Sequence, residues 1–250
     1  MLTEERHKII LDTLAKDNIV KLQDLVDQTG SSESTIRRDL STLEEAGFLI
    51  RVHGGAKRNY SVSAEDRMED KTSKNVRDKQ RIAEKAAQLV SDQDIIFLDA
   101  GSTTYEMIPF LKGKSILVVT NGVPHASLLS DLQLETILIG GKIKMETKAV
   151  IGPVSQMQMR NYRFSKAFLG INGIDKQYGF TTPDTEEAAI KRIAIENAAQ
   201  SYVVADASKF KQVSFVKVCD IEDCGIISYN VPSEIKRNLK DSTTIRQAEQ

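Results

Sequence analysis

Residues 31–55 read SSESTIRRDLSTLEEAGFLIRVHGG, and this stretch decides the fold of the N-terminal part of the chain. Ile36, Leu40 and Leu43 recur at the spacing of one buried helical face. The other positions of this predicted helix are polar. Small hydroxyls and paired arginines suit a helix in the major groove of DNA, where arginine can make two bonds to guanine and hydroxyls can reach phosphates. The helix residues that we expect to contact DNA are Ser34, Thr35, Arg37, Arg38 and Ser41.

The residues around this helix predict a winged helix-turn-helix. Ser32 can cap the start of the helix, and Gly47 can end it by adopting a left-handed backbone. Residues 49–52 predict a short strand, and Gly54 and Gly55 predict a tight turn into a second one. The basic edge of this wing is expected to meet DNA through Arg51, His53 and Lys57.

Two helices upstream complete the predicted DNA-binding domain, which we place at residues 1–58. The first helix is expected over residues 4–15. The second is expected to include Leu22 and Leu25 and to end at Gly30. The domain is close to neutral in net charge, which favours a sequence-specific dimer over a general DNA coat. The alternative is an ordinary small helical subdomain with an arginine-bearing surface.

The bulk properties fit a cytoplasmic protein. The chain has 250 residues, which is enough for one large or two unequal domains, and its net charge is −1. No apolar run approaches the length of a membrane span, and the first residues carry no signal segment, so no membrane partner is expected. Two cysteines are too few for a disulfide scaffold, and they lie far in sequence from the three histidines, which argues against a metal site.

Residues 59–80 are expected to form a linker that enters a solvent-exposed helix, and residues 81–250 a second domain. The helix is expected to end at Asp92. Short continuous apolar runs then alternate with helical stretches, which predicts an α/β fold with a mostly parallel sheet covered on both faces. The six predicted strands are 95–98, 116–119, 136–139, 166–169, 202–205 and 225–228. Residues 231–250 are weakly patterned and fit either a short helix or a tail.

Small and polar residues follow five of these strands. Ligands of open α/β sheets bind outside the carboxyl ends of the strands, so these residues together predict a binding site, although any one of them could simply make a turn. The candidate effector-binding residues are Asp99, Gly101, Ser102, Thr103, Thr104, Asn121, Gly141, Asn172, Glu187, Lys191 and Lys209.

Residues 101–104 give the clearest indication of the ligand. Glycine permits close backbone approach, and hydroxyls and free amides at a helix start favour phosphate. The chain has no dinucleotide or triphosphate fingerprint, so a small phosphorylated metabolite is favoured over a nucleotide cofactor. Glu187 and Lys191 share a helical face. One interpretation is an Asp184–Glu187 capping box with a surface ion pair between Glu187 and Lys191. The other, equally weighted, is that Glu187 and Lys191 both face the ligand.

These segments resemble the DeoR family of bacterial sugar-operon regulators. The segments that carry the resemblance are Ser34–Leu40 with Leu43, His53–Ala56, Asp99–Thr104, Thr120–Asn121, Gly140–Gly141, Glu187–Ala188 with Lys191–Arg192, and Ala205–Phe210. The resemblance implies a winged helix, an effector domain similar to ribose-5-phosphate isomerases, a sugar-phosphate inducer and a homo-oligomer, dimer or tetramer. Within the family the chain is most similar to fructose operon repressors, whose effector is fructose 1-phosphate. Repressors of lactose, tagatose or deoxyribonucleoside operons remain alternatives.

The expected function is therefore a repressor that binds a double-stranded operator and is released by a sugar phosphate. The rival is an enzyme that isomerises an aldose phosphate with Asp99 or Glu187 as general base. An attached winged helix argues against it, so we expect no catalytic residues. An activator would share every residue with a repressor.

Overall fold

The computed structural model describes residues 1–17, 19–45, 48–58 and 68–248. The chain divides into two compact units, Met1–Ser61 and Val62–Gln250. Two expectations lie outside the described residues, namely the helix end at Gly47 and the part of the linker that spans residues 59–67.

The first unit is a winged helix. Its helices are α1 (Thr3–Asp17), α2 (Leu22–Thr29) and α3 (Glu33–Glu45), and its strands are β1 (Ile19–Lys21), β2 (Leu49–Val52) and β3 (Gly55–Arg58). Gly30 ends α2 with a left-handed backbone (φ 64°), and Ser32 Oγ accepts a bond from Thr35 N at 3.3 Å. Ile36, Leu40 and Leu43 are buried against the other two helices, as the periodicity predicts.

Strand β1 was not anticipated. It pairs antiparallel with β3, which lies between β1 and β2. Gly55 makes this close pairing possible, because a Cβ there would lie 2.0 Å from the Val20 carbonyl oxygen. Three residues are too few to show a period, so the sequence carries no signal for this strand.

The second unit contains a seven-stranded sheet in which every neighbouring pair of strands is parallel. Its strands are β4 (Ile95–Leu98), β5 (Leu117–Thr120), β6 (Glu135–Leu138), β9 (Phe164–Leu169), β12 (Ala198–Val204), β14 (Gly225–Ser228) and β15 (Ile245–Gln247). Their order across the sheet is β15-β14-β12-β9-β4-β5-β6. Consecutive residues of β4 belong to different hydrophobic clusters, Phe97 to one and Ile96 and Leu98 to the other, so both faces are covered.

The helices of this unit are α4 (Met68–Ser73), α5 (Val76–Ala87), α6 (Ser102–Tyr105), α7 (Val123–Asp131), α8 (Pro153–Arg160), α9 (Thr185–Glu196) and α10 (Ser233–Leu239). Short strands outside the main sheet form a hairpin, β7 (Lys142–Ile143) with β8 (Val150–Ile151), and a small antiparallel sheet, β10 (Gly173–Asp175), β11 (Gly179–Thr182) and β13 (Val216–Cys219). Neither the hairpin nor the small sheet was predicted.

Two boundaries differ from the sequence-based expectation. Residues 68–80, which we placed in the linker, are largely helical and belong to the second unit. Helix α5 buries Lys79 as well as Ile82, and it ends at Ala87 rather than at Asp92. Residues 231–248, for which the sequence left a short helix or a tail open, contain α10 and the edge strand β15, which pairs with β14. These elements are too short to show a clear pattern in the sequence, and β15 is held in place by its pairing with β14.

Candidate functional site

A cavity opens at the carboxyl ends of β4, β9 and β12, where the sequence predicted a site. It is bounded by the loops that follow these strands, by α9, and by α4 and the start of α5. The residues that line it are Met68, Lys71, Lys74, Asn75, Lys79, Asp99, Ala100, Gly101, Ser102, Thr103, Thr147, Gly170, Ile171, Asn172, Glu187, Lys191, Val204, Ala205, Asp206, Ser208 and Lys209. Eight of the eleven predicted effector residues are therefore brought together.

The other three predicted residues, Thr104, Asn121 and Gly141, are not among the residues that line the cavity. Thr104 is fully buried, and its Oγ1 donates to the carbonyl oxygens of Asp99 (2.5 Å) and Gly101 (2.7 Å). Asn121 Oδ1 accepts from Ala100 N at 2.9 Å. These two side chains therefore shape the loop after β4 instead of facing a ligand. Gly141 opens the β7–β8 hairpin, where a Cβ would clash with Ser155 Oγ.

A buried ion pair joins Asp99 to Lys191 across the cavity floor. Their side chains are 2% and 6% exposed, and Lys191 Nζ donates to Asp99 Oδ2. The same carboxylate oxygen accepts from Gly170 N at 3.0 Å. The pairing brings helix α9 to the loop after β4, and each charge compensates the burial of the other.

Glu187 and Lys191 are both buried, and each has a partner outside helix α9. Glu187 Oε1 accepts from Thr147 Oγ1 at 2.7 Å and from Lys144 Nζ at 3.2 Å. Asp184 caps α9 by accepting from the backbone N–H groups of Glu186 and Glu187. Burial raises the pKa of Asp184, but these bonds and the bond from Lys144 outweigh it and hold the pKa below its ordinary value. Both Glu187 and Lys191 line the cavity.

Helix α4 and the start of α5 add a basic wall that the sequence analysis missed. Lys71, Lys74 and Lys79 all line the cavity. Lys79 is only 4% exposed, and its Nζ donates to the Lys71 carbonyl oxygen. Burial lowers the pKa of Lys79, against the opposing charge of Asp206. The dense mixture of charges over residues 65–79 has no periodicity, so only the fold reveals that these lysines face one cavity.

The loop after β12 faces this basic wall. Asp206 Oδ1 accepts from Asn75 Nδ2 at 3.2 Å and from the Ser208 backbone N–H at 2.9 Å. Asn75 itself has a left-handed backbone (φ 54°) between α4 and α5. The cavity thus combines five lysines with three carboxylates, a set that can hold a phosphate and accept bonds from the hydroxyls of a sugar.

In the winged helix, the residues predicted to contact DNA are exposed or half-exposed, but several already have intramolecular partners. Ser34 and Thr35 share hydrogen bonds with Ser32 Oγ, at 2.9 and 2.8 Å. Arg37 pairs with Glu33. The remaining predicted contacts on this surface, Arg38, His53 and Lys57, are exposed.

Ser41 and Arg51 tie the recognition helix to the wing. Arg51 Nη1 donates to Ser41 Oγ at 2.7 Å, and Arg51 N donates to Glu44 Oε1 at 2.7 Å. Asp39, which the sequence analysis did not single out, anchors the opposite side of α3. Its buried carboxylate accepts from Arg6 Nε at 2.7 Å and from Arg6 Nη2 at 3.1 Å. The orientation of α3 is therefore fixed from two sides.

Fold and site together define a two-domain regulator with a winged helix and a ligand-sensing α/β domain. Residues 6–62 match the DeoR-like helix-turn-helix domain, and residues 74–229 match the DeoR C terminal sensor domain. The chain belongs to the DeoR family of helix-turn-helix transcriptional regulators of sugar operons. Family membership confirms that it is a DNA-binding transcription factor and not an enzyme.

Two relatives extend this comparison. The chain is 49% identical to the "Uncharacterized HTH-type transcriptional regulator FruR" of Bacillus subtilis, over 98% of both chains. It is 33% identical to the "Lactose phosphotransferase system repressor" of Streptococcus mutans, over 86% of this chain and 87% of the relative. Among solved structures, ribose 5-phosphate isomerase A of Methanocaldococcus jannaschii matches 53% of each chain with a TM-score of 0.40 and 18% identity.

None of the helices described in the second unit or in the winged helix is long and apolar enough to cross a membrane. Within the same described ranges, no three His, Cys, Asp or Glu side chains are grouped so that they could hold a metal ion.

Proposed function

We propose that this protein represses a fructose utilisation operon and leaves its operator when a sugar phosphate, by preference fructose 1-phosphate, occupies the cavity of the second unit. The observation that carries the proposal is the cavity itself. It is lined by Lys71, Lys79 and Lys209 together with polar side chains that can bind hydroxyls. The name of the FruR relative favours fructose among the sugars.

The lining of the cavity suits the two parts of such an effector. The basic wall of α4 and α5, together with Lys209, provides charge for a phosphate dianion. Asp99, Asn172 and Glu187 provide oxygen acceptors for sugar hydroxyls. Because Lys79, Asp99 and Glu187 are buried and already hydrogen-bonded, an effector that contacts them must replace bonds that they make within the protein. A ligand with the wrong pattern of hydroxyls would leave some of these groups unpaired, which is costly.

Repression then follows from a population shift. We propose that a homodimer or tetramer in the cytoplasm presents pairs of recognition helices to two operator half-sites. The effector favours a state in which these helices no longer match the operator. By linkage, the operator must weaken effector binding by the same factor as the effector weakens operator binding, typically about 1–3 kcal/mol.

The test is a fluorescence-anisotropy titration of the full-length protein on promoter DNA of its own operon. A panel of sugar phosphates is added, including fructose 1-phosphate and the phosphates of tagatose and deoxyribose. Tight DNA binding that fructose 1-phosphate releases supports the proposal, and release by another compound reassigns the operon. DNA binding that no compound of the panel releases contradicts the effector assignment.

A matched pair of variants tests whether release uses the cavity. Lys209 lines the cavity, whereas Lys211, two residues on, pairs with Glu234. Lys209→Ala should raise the half-release concentration of fructose 1-phosphate by about tenfold or more, as expected for the loss of one charge-assisted bond. Lys211→Ala should leave it unchanged. Equal responses of the two variants would place the effector elsewhere.

A further inference from the structure

His125 is a buried histidine of α7 that points at the loop after β4 from behind the cavity wall. Its ring is 0% exposed. Nε2 lies 3.1 Å from the Gly101 carbonyl oxygen and 3.2 Å from Thr104 Oγ1. Gly101 lines the cavity. A polar ring that is fully removed from water therefore makes its contacts to a loop of the candidate site.

The direction of the hydrogen bond follows from the proton count of the ring. Burial lowers the pKa of His125 to about 4, so the ring is neutral at pH 7 and carries one N–H. A carbonyl oxygen can only accept. Nδ1 has no hydrogen-bond partner in the part of the chain that the structure describes. The proton therefore belongs on Nε2, which donates to the Gly101 carbonyl oxygen.

The surroundings of His125 hold the ring in one position. Gly122 leaves the space that the ring fills, because a Cβ at this position would lie 2.4 Å from Nδ1. The Tyr105 ring packs on His125 edge to face, with 5.3 Å between the ring centroids. The Gly101 carbonyl oxygen also accepts from Thr104 Oγ1 and, at 2.9 Å, from the backbone N–H of Tyr105, and Thr104 Oγ1 accepts from Gly101 N at 3.0 Å.

We propose that His125 is a positioning residue for effector binding, which holds the Gly101 carbonyl oxygen behind the wall and so presents the loop after β4 to the ligand. The physical reason is the trans peptide plane. In a trans peptide, the C=O of Gly101 and the N–H of Ser102 point in opposite directions. When His125 binds the carbonyl oxygen on the side away from the cavity, the N–H of Ser102 therefore points toward the cavity, which Ser102 lines. The role in release rests on the function proposed above.

The experiment compares four full-length proteins: wild type, His125→Gln, His125→Asn and Leu129→Ala. The amide nitrogen of glutamine reaches the position of Nε2, whereas asparagine is too short to reach it. Leu129 is a fully buried apolar residue of the same helix and reports general destabilisation. Each protein is measured for operator affinity, for the fructose 1-phosphate concentration that gives half-release, for Tm, and for amide exchange of the segment 99–106 without effector.

His125→Asn should raise the half-release concentration and the exchange rate of the segment about tenfold, the effect of one hydrogen bond, at unchanged operator affinity. His125→Gln should restore both values to within about threefold of wild type. Leu129→Ala should lower Tm and leave both values as in wild type. The proposal is overturned if glutamine fails as asparagine does, or if Leu129→Ala shifts both readouts as much. If fructose 1-phosphate releases none of the four proteins, the effector assignment fails, and the exchange rates alone decide the role of His125.

Discussion

At the scale of single residues, His125 makes the stability of the second unit depend on pH. Its pKa is about 4 in the folded protein because burial disfavours the charged ring, against an ordinary value of 6.5. Between these two values the unfolded chain binds a proton that the folded chain does not. The free energy of unfolding is therefore highest above pH 6.5 and falls as the pH is lowered toward 4. The total loss is roughly 3 kcal/mol, because each pH unit between the two pKa values contributes about 1.4 kcal/mol.

The measurement is the difference in unfolding free energy between wild type and His125→Gln at pH 7, 6 and 5. Carboxylates that titrate in both proteins cancel in this difference. We expect wild type to lose stability relative to the variant as the pH falls. A difference that stays constant with pH would show that the ring is not buried in its neutral form.

The ion pair of Asp99 and Lys191 makes a second prediction at this scale. Lys191→Met leaves the Asp99 carboxylate buried without its cation and should cost about 3 kcal/mol. The double variant Asp99→Asn with Lys191→Met removes both charges and should recover most of that stability, yet release by effector should stay impaired in both. Urea unfolding measures the stability of each variant, and operator titrations with effector measure its release. Full recovery of release in the double variant would show that the pair serves folding alone.

The sequence could predict those site residues that follow directly from strand order. Asp99, Gly101 and Asn172 come just after buried strands, and parallel pairing brings such positions to one edge. The basic residues of the segment 68–79 could not be predicted in this way, because they precede the sheet and show no period. The ion pairs of Glu187 with Lys144 and of Lys191 with Asp99 could not be predicted either, because these partners lie more than forty residues away in sequence.

At the scale of elements, the two arginines of the recognition helix should differ in function. Arg38 follows the buried Ile36 by two positions, which at 3.6 residues per turn places it about 200° around α3, opposite the buried face. Arg37 lies about 100° around, where it pairs with Glu33. A helix in the major groove meets base edges with its outermost side, so Arg38 is expected to contact a base and Arg37 a phosphate.

Arg38→Ala should therefore weaken operator binding by about 1–3 kcal/mol and relax the preference at one base pair of each half-site. Arg37→Ala should weaken binding more evenly across sequences and lower its salt dependence. Anisotropy titrations on operators with single base-pair changes, at two salt concentrations, measure both effects. Equal loss of base preference in the two variants would contradict this division.

The same scale shows which elements a sequence reveals. The continuous apolar runs predicted six strands of the main sheet to within a few residues, because strands that are buried on both faces are apolar at nearly every position. The strands of the hairpin and of the small sheet have two to four residues, too few for any period. Their order comes from tertiary pairing, as in the antiparallel ladder between Gly173 and Thr181.

At the scale of the whole molecule, the division into two units predicts two separate unfolding transitions. Each unit has its own hydrophobic cluster or clusters, and none of these clusters spans both units among the described residues. A ligand stabilises the unit that it binds by about 2.7 kcal/mol at a hundred times its Kd. Fructose 1-phosphate alone should therefore raise the Tm of the second unit, and operator DNA alone should raise that of the winged helix.

Calorimetry of the full chain in four states, free, with effector, with operator and with both, tests this expectation and the coupling together. If the effector weakens operator binding, the stabilisation that the operator gives the winged helix must shrink when effector is present. The effector's stabilisation of the second unit must then shrink by the same free energy, because coupling between two bound ligands is reciprocal. Two shifts that simply add would mean that the ligands do not communicate, and a single transition that both ligands raise equally would mean that the units unfold as one.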